Sequence, residues 1–233
     1  MATVLVCRYV LAVPSRTVLV GLDAMDRSLA DAMIAGGRLP VLASLMARGV
    51  TADVATPDVH LVGGTWESFV TGLEPIEHAF WADWQLVPGT YTERRFTPDD
   101  VEADPFWHRI DAAGGRVAAV DVPLTNARPL ERGISVTEWG SHDRFVGYQT
   151  WPASLAEDLT RRHGVHAETT SCNRFTEAGR FADLLAGLLE GVRAKTDLMI
   201  DLLGREEWDL FLGVYGESHC AGHQYWKFHD PLH

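Results

Sequence analysis

Short unbroken runs of apolar residues alternate along this chain with stretches whose apolar positions recur every three or four residues. Residues 17–22 (TVLVGL) form a continuous apolar run, short enough for a strand buried on both faces. A helix is expected next, capped by Asp26 or Ser28 and stopped at Gly36-Gly37. A second opens at Pro40, runs over residues 41–48 and closes at Gly49. Residues 51–55 read as a strand. Beyond a loop containing Pro57, Gly63 and Gly64, residues 65–70 read as a short helix. Asp104-Pro105 begins a helix ending at Gly114-Gly115, residues 116–122 (RVAAVDV) make a buried strand, and residues 134–139 make another. Pro152 sits in the first turn of a helix reaching about Arg162. Residues 177–203 carry Leu184, Leu185, Leu188, Leu189 and Val192 on one side, the spacing of a long amphipathic helix. Residues 208–215 (WDLFLGVY) form the strongest strand after the first.

This alternation predicts an α/β fold with a mainly parallel sheet flanked by helices. In such sheets chemistry collects beyond the carboxyl ends of the strands. Two strands stop just before ligand-capable residues: the first before Asp23, the last before Glu217-Ser-His-Cys-Ala-Gly-His223. In a helix, His219 and His223 share a face and can grip one cation; in a loop, Gly222 would let the backbone bring them together. Neutral imidazole suits zinc, and the carboxylates of Asp23 and Glu217 suit zinc and harder ions alike. The same pattern also fits ordinary hydrogen-bonding histidines at a strand end, and Asp23 fits a turn or cap. Thr65 is the third candidate. A hydroxyl at a helix N-terminus lies in a field that favours an anion such as phosphate, although it also serves as a plain cap above core residues Trp66, Phe69 and Val70.

Composition narrows the classes. With 233 residues the chain forms one or two domains, and 46% hydrophobic with 22% charged residues is ordinary for a globular protein. A net charge of −12 argues against a nucleic-acid partner, since binders of backbone phosphate present basic faces. A phosphoester substrate stays open, because a bound divalent metal supplies positive charge locally. Cys7, Cys172 and Cys220 contain no CxxC pair and are odd in number, which points to a reducing cytoplasm. The apolar N-terminus is interrupted by Arg8 and is far short of a bilayer span, so residues 1–16 read as an extension ahead of a domain over 17–233, with no membrane partner. Neither a Gly-x-Gly-x-x-Gly fingerprint nor a phosphate loop occurs. Oligomeric state is not legible.

Five segments, in order, resemble the type I phosphodiesterase/nucleotide pyrophosphatase branch of the alkaline phosphatase superfamily. They are Val18-Leu-Val-Gly-Leu-Asp23, residues 37–49 (GRLPVLASLMARG), residues 66–78 (WESFVTGLEPIEH), residues 115–123 (GRVAAVDVP), and His219-Cys-Ala-Gly-His-Gln-Tyr-Trp226 with Asp230-Pro231. The resemblance implies a two-metal hydrolase, with zinc the usual metal and manganese the alternative, acting on a small phosphoester through a hydroxyl at a helix N-terminus. It places Asp23 and His223 on ligand positions. Three departures accompany it. The usual nucleophile position holds Val62, with Thr65 the nearest hydroxyl. His219 stands where the family has aspartate, with Glu217 as a possible compensating carboxylate. The distal Asp-His pair and final histidine have no counterpart. The expectation is therefore the incomplete, N-terminal portion of an alkaline-phosphatase-like catalytic domain with an unpaired sheet edge. The alternative is a non-catalytic member that binds metal or ligand without turnover.

Overall fold

The computed structural model describes residues 16–54, 64–140, 144–167 and 180–230. The expected extension (all but Arg16), Ala55, Val62, Gly63 and His233 lie outside these residues. Strand β1 (Thr17–Leu22) leads into α1 (Arg27–Ala35), whose cap is Asp26: its carboxylate accepts the Leu29 amide at 2.7 Å. Helix α2 (Pro40–Arg48) starts on Pro40, where the missing amide proton costs nothing. Next come α3 (Gly64–Thr71), α4 (Pro75–His78), a hairpin of β2 (Trp84–Leu86) and β3 (Glu93–Arg95), and α5 (Phe106–Ala112). The second half holds β4 (Val117–Val120), β5 (Ile134–Thr137), β6 (Gln149–Trp151), α6 (Leu155–His163), α7 (Phe181–Arg205), β7 (Leu210–Tyr215) and α8 (Glu217–His229).

The main sheet runs β1-β7-β4-β5-β6, parallel except for the β5–β6 pair. This is the mostly parallel, helix-flanked sheet expected from the alternating pattern. Strands β4 and β7 lie inside it, and neither has room for an exposed face. Their side chains divide by parity. Ala118, Val120 and Phe211 meet Leu159 of α6 and Leu198 and Leu202 of α7 on one face. Val117, Ala119, Leu210, Leu212 and Val214 meet Val70 of α3 and Trp107 of α5 on the other. Two apolar layers result, one on each side of the sheet.

The edge is different. Among the described residues β1 pairs only with β7, and Val18, Val20 and Leu22 remain open on one face. Residues 51–54, expected as a strand, form none. Strand β6 left no sequence signal, because three residues led by glutamine show no apolar run. Strands β4 and β5 also stop earlier than the apolar runs suggested, at Val120 and Thr137. The next residues, Asp121 and Glu138, turn into left-handed backbone at φ 57° and 52°.

Candidate active site at the strand rim

The carboxyl ends of β1, β4 and β5 share a backbone feature. Ala24 lies two residues beyond β1, Asp121 and Glu138 directly follow β4 and β5, and all three have positive φ. A non-glycine residue there costs on the order of 1 kcal/mol or more, so surrounding contacts must hold it. Asp121 is held by the Trp139 and Gly140 amides, both donating to its carboxylate at 2.8 Å. Glu138 accepts the amides of Phe145, Val146 and Gly147.

Asp23 occupies that rim. Its amide extends the β1–β7 ladder by one bond, donating to the Tyr215 carbonyl at 3.0 Å. Its carboxylate meets Trp66 and His219: Trp66 Nε1 donates to Oδ1 at 3.0 Å, and His219 Nδ1 lies 2.7 Å from Oδ2. The Ser218 hydroxyl donates to the Asp23 carbonyl at 2.6 Å. Since β7 runs directly into α8, the segment 217–223 is helical, and a spacing of four puts His219 and His223 on one face. Their Nε2 atoms lie 2.8 Å apart, with the rings stacked at 4.7 Å between centroids.

Tautomers follow from this chain of contacts. A carboxylate only accepts, so His219 Nδ1 carries the proton and its Nε2 lone pair points toward His223. A carboxylate fixing the far nitrogen of an imidazole is the usual orienting partner of a metal-binding histidine. Asp23 and His223 are thus joined through His219, on opposite edges of its ring. Two imidazoles on one tetrahedral zinc stand about 3.3 Å apart, given ligand distances of about 2.0–2.1 Å. The pair would have to open by about half an ångström, and His223 would have to release its Nε2 proton. Among the described residues no three His, Cys, Asp or Glu side chains are grouped to hold an ion together. The donor chemistry fits two ligands of a cation and stops there.

Glu217, expected beside these histidines, faces the opposite way. Its Oε1 lies 2.9 Å from His166 Nε2 and 3.0 Å from Lys195 Nζ, in the interior between α7, α8 and the sheet. The helix explains it: residues two apart point to nearly opposite sides.

Thr65 is the second residue of α3 and is exposed. Gly64 lets the helix start close under the chain, since a Cβ there would stand 2.8 Å from the Phe80 carbonyl oxygen. Thr65 borders a groove of about 900 Å3 with Leu19, Leu22, Met25, Ser68 and Phe69, adjoining Trp66 and so the Asp23 carboxylate. Ser68, one turn on, lies 3.0 Å from His78 Nε2. His78 Nδ1 accepts the Phe80 amide at 3.1 Å, so the neutral ring carries its proton on Nε2 and donates to Ser68. Burial holds the His78 pKa below its usual value. His78 is therefore not a base for Ser68; it ties α4 to α3.

Sequence reasoning singled out Asp23, Thr65, His219 and His223 but passed over Asp121, His166 and Lys195. A signal for Asp121 was present, a carboxylate directly after a buried apolar run, as at Asp23. His166 and Lys195 lie in loop and helix with no local pattern to mark them.

The fold is that of an α/β protein with a mostly parallel, helix-flanked sheet. The sequence profile described as "Type I phosphodiesterase / nucleotide pyrophosphatase" matches residues 17–233, and the chain belongs to that family. No curated protein matches it significantly. Two crystal structures of phosphonoacetate hydrolase from Sinorhizobium meliloti 1021 are similar. The complex with phosphonoformate superposes with a TM-score of 0.58 at 17% identity, covering 88% of this chain and 50% of that one. The phosphonoacetate complex gives the same score and identity, covering 88% and 48%. At that identity the likeness is one of fold, and the chain spans about half the length of the structures it matches. No single described helix is long and apolar enough to cross a membrane; α1 and α2 would reach that length only together, across a bend of 100°.

Proposed function

We propose that this rim belongs to a metal-dependent hydrolase of phosphodiester, pyrophosphate or related phosphoester bonds, active in the full-length protein. The hydrogen-bonded chain Asp23–His219–His223, seated where two parallel strands end, carries this reading. His219 and His223 would hold a divalent cation, zinc by their donor chemistry and manganese as the alternative. When bound, the cation supplies Lewis acidity toward a phosphoryl oxygen. Asp23 keeps the His219 proton on Nδ1 and the ring fixed. Thr65, at the N-terminal end of α3, offers its hydroxyl as nucleophile, and the dipole of that helix end favours an anionic group beside it.

A second reading is a member that binds metal or ligand without turnover. It is favoured by Val62 at the family's nucleophile position and by Glu217 facing inward. The full-length protein, assayed with a chromogenic phosphodiester and with phosphonoacetate in Zn²⁺ and in Mn²⁺, separates the two. Metal-dependent turnover supports hydrolysis. Tight metal binding with no turnover of either probe supports the second reading.

A further inference from the structure

Beneath the rim lies a buried ionic cluster that the proposed chemistry does not use. Lys195, in the middle of α7, is fully enclosed, and its ammonium reaches Asp121 at 2.7 Å and Glu217 at 3.0 Å. Its remaining reach falls on the Gly140 and Val214 carbonyl oxygens at 3.2 and 3.4 Å. His166 closes the group at 2.9 Å from Glu217. The ring reaches that position only because two neighbours lack side chains. A Cβ on Gly140 or on Gly191 would lie well inside 3.0 Å of the His166 ring. Burial opposes both charges, yet Asp121 and Glu217 hold the Lys195 pKa above its usual value, and His166 and Lys195 hold that of Glu217 below.

Such a cluster is a poor way to gain stability. A buried ion pair contributes little net compared with well-packed apolar residues, while removing one partner leaves an uncompensated buried charge. What it supplies is direction. The four residues come from the end of β4, the segment after α6, the middle of α7 and the first residue of α8. Glu217 is two positions before His219 on α8, so gripping Glu217 from inside sets the rotation of the helix that presents His219 to the rim.

We propose that Lys195, Asp121, Glu217 and His166 form a positioning clamp that fixes the rotation of α8 and so holds His219 against Asp23. The clamp serves the metal-site reading above, and its test is separable from it. Full-length protein with ¹⁵N-labelled histidine should show a hydrogen-bonded ring N–H proton for His219, assigned by its loss in His219→Gln. In Glu217→Gln and in His166→Ala, each keeping cooperative melting, that resonance should be lost or shifted, and zinc affinity, titrated with zinc chloride, should fall about tenfold or more. His166→Gln, which keeps a donor toward Glu217, should restore both.

A folded variant with the His219 resonance and zinc affinity intact overturns the proposal. So does failure of both Glu217→Gln and His166→Ala to fold, because the cluster is then a structural core and nothing more. If the unmodified protein binds no zinc, the metal reading fails, while the His219 resonance still decides the clamp.

Discussion

His219 Nδ1 lies 2.7 Å from Asp23 Oδ2, joining residues 196 positions apart at the end of β1 and the first turn of α8. The contact leaves the His219 Nε2 lone pair directed at His223, so one hydrogen bond between distant segments selects the tautomer that a cation requires. The remaining members of the rim take meaning from it: Trp66 shares the Asp23 carboxylate, and Ser218 ties its backbone.

Asp23→Asn should lower zinc affinity about 10–100-fold, the usual effect of losing an orienting carboxylate, while leaving secondary structure unchanged. Calorimetric titration with zinc chloride measures it. Unchanged affinity would remove Asp23 from the orienting role.

Thr65→Ala should abolish phosphodiester turnover in the full-length protein, and Thr65→Ser should retain it, because a primary hydroxyl at the same helix end keeps the nucleophile. Steady-state assay of the two variants is the check. Activity surviving in Thr65→Ala would transfer attack to water or to Ser68, the next hydroxyl in the groove.

Two glycines of α7 should respond with opposite signs. Gly204 meets nothing within 4 Å of an added Cβ, so Gly204→Ala should stabilise by about 0.5–1 kcal/mol through helix propensity. Gly191→Ala gains the same propensity but drives its methyl into the His166 ring, and overpacking of about 1–3 kcal/mol outweighs it. Thermal melts should show one midpoint rising and the other falling. A rise in both would mean the ring moves aside freely.

Acid should weaken the fold partly through His78. Its folded pKa is depressed by burial from the ordinary value of 6.5, so above that pH both folded and unfolded states are neutral and the full stability is present. As pH falls through 6.5, the unfolded chain takes up the proton first and stability is lost, until the folded-state value is reached. His108, also depressed by burial, acts in the same direction. Melting midpoints at pH 7.5 and 5.5 should therefore differ less in His78→Gln than in the unmodified protein. Equal differences would take His78 out of the account.

The element list was partly legible because burial on both faces of a parallel strand demands uninterrupted apolar runs, as in VAAV and LFLGVY, and because Asp26, Pro40, Gly36 and Gly49 mark helix ends by local chemistry; TVLVGL, read in the same way, is a strand whose one face stays open. Asp23, His219 and His223 could be found as well, since each follows closely on such a strand. Residues 51–54, expected as a strand, form none, and α4, β2, β3 and β6 had no counterpart among the expected elements. Strand pairing depends on a partner elsewhere in the chain, which no local pattern records.

By itself, then, the sequence determined the longer strands and helices, and which of them end in chemistry-bearing residues, because those features depend on spacing of a few positions. Only the tertiary structure decided what faces what. Asp23 bonds the near nitrogen of His219 and meets His223 only through that ring, while Glu217 turns inward to Lys195 and His166. These outcomes depend on the strand order and on the rotation of α8 about its axis, and both are set by packing among residues well separated in the sequence, 51 positions for His166 and Glu217 and 196 for Asp23 and His219.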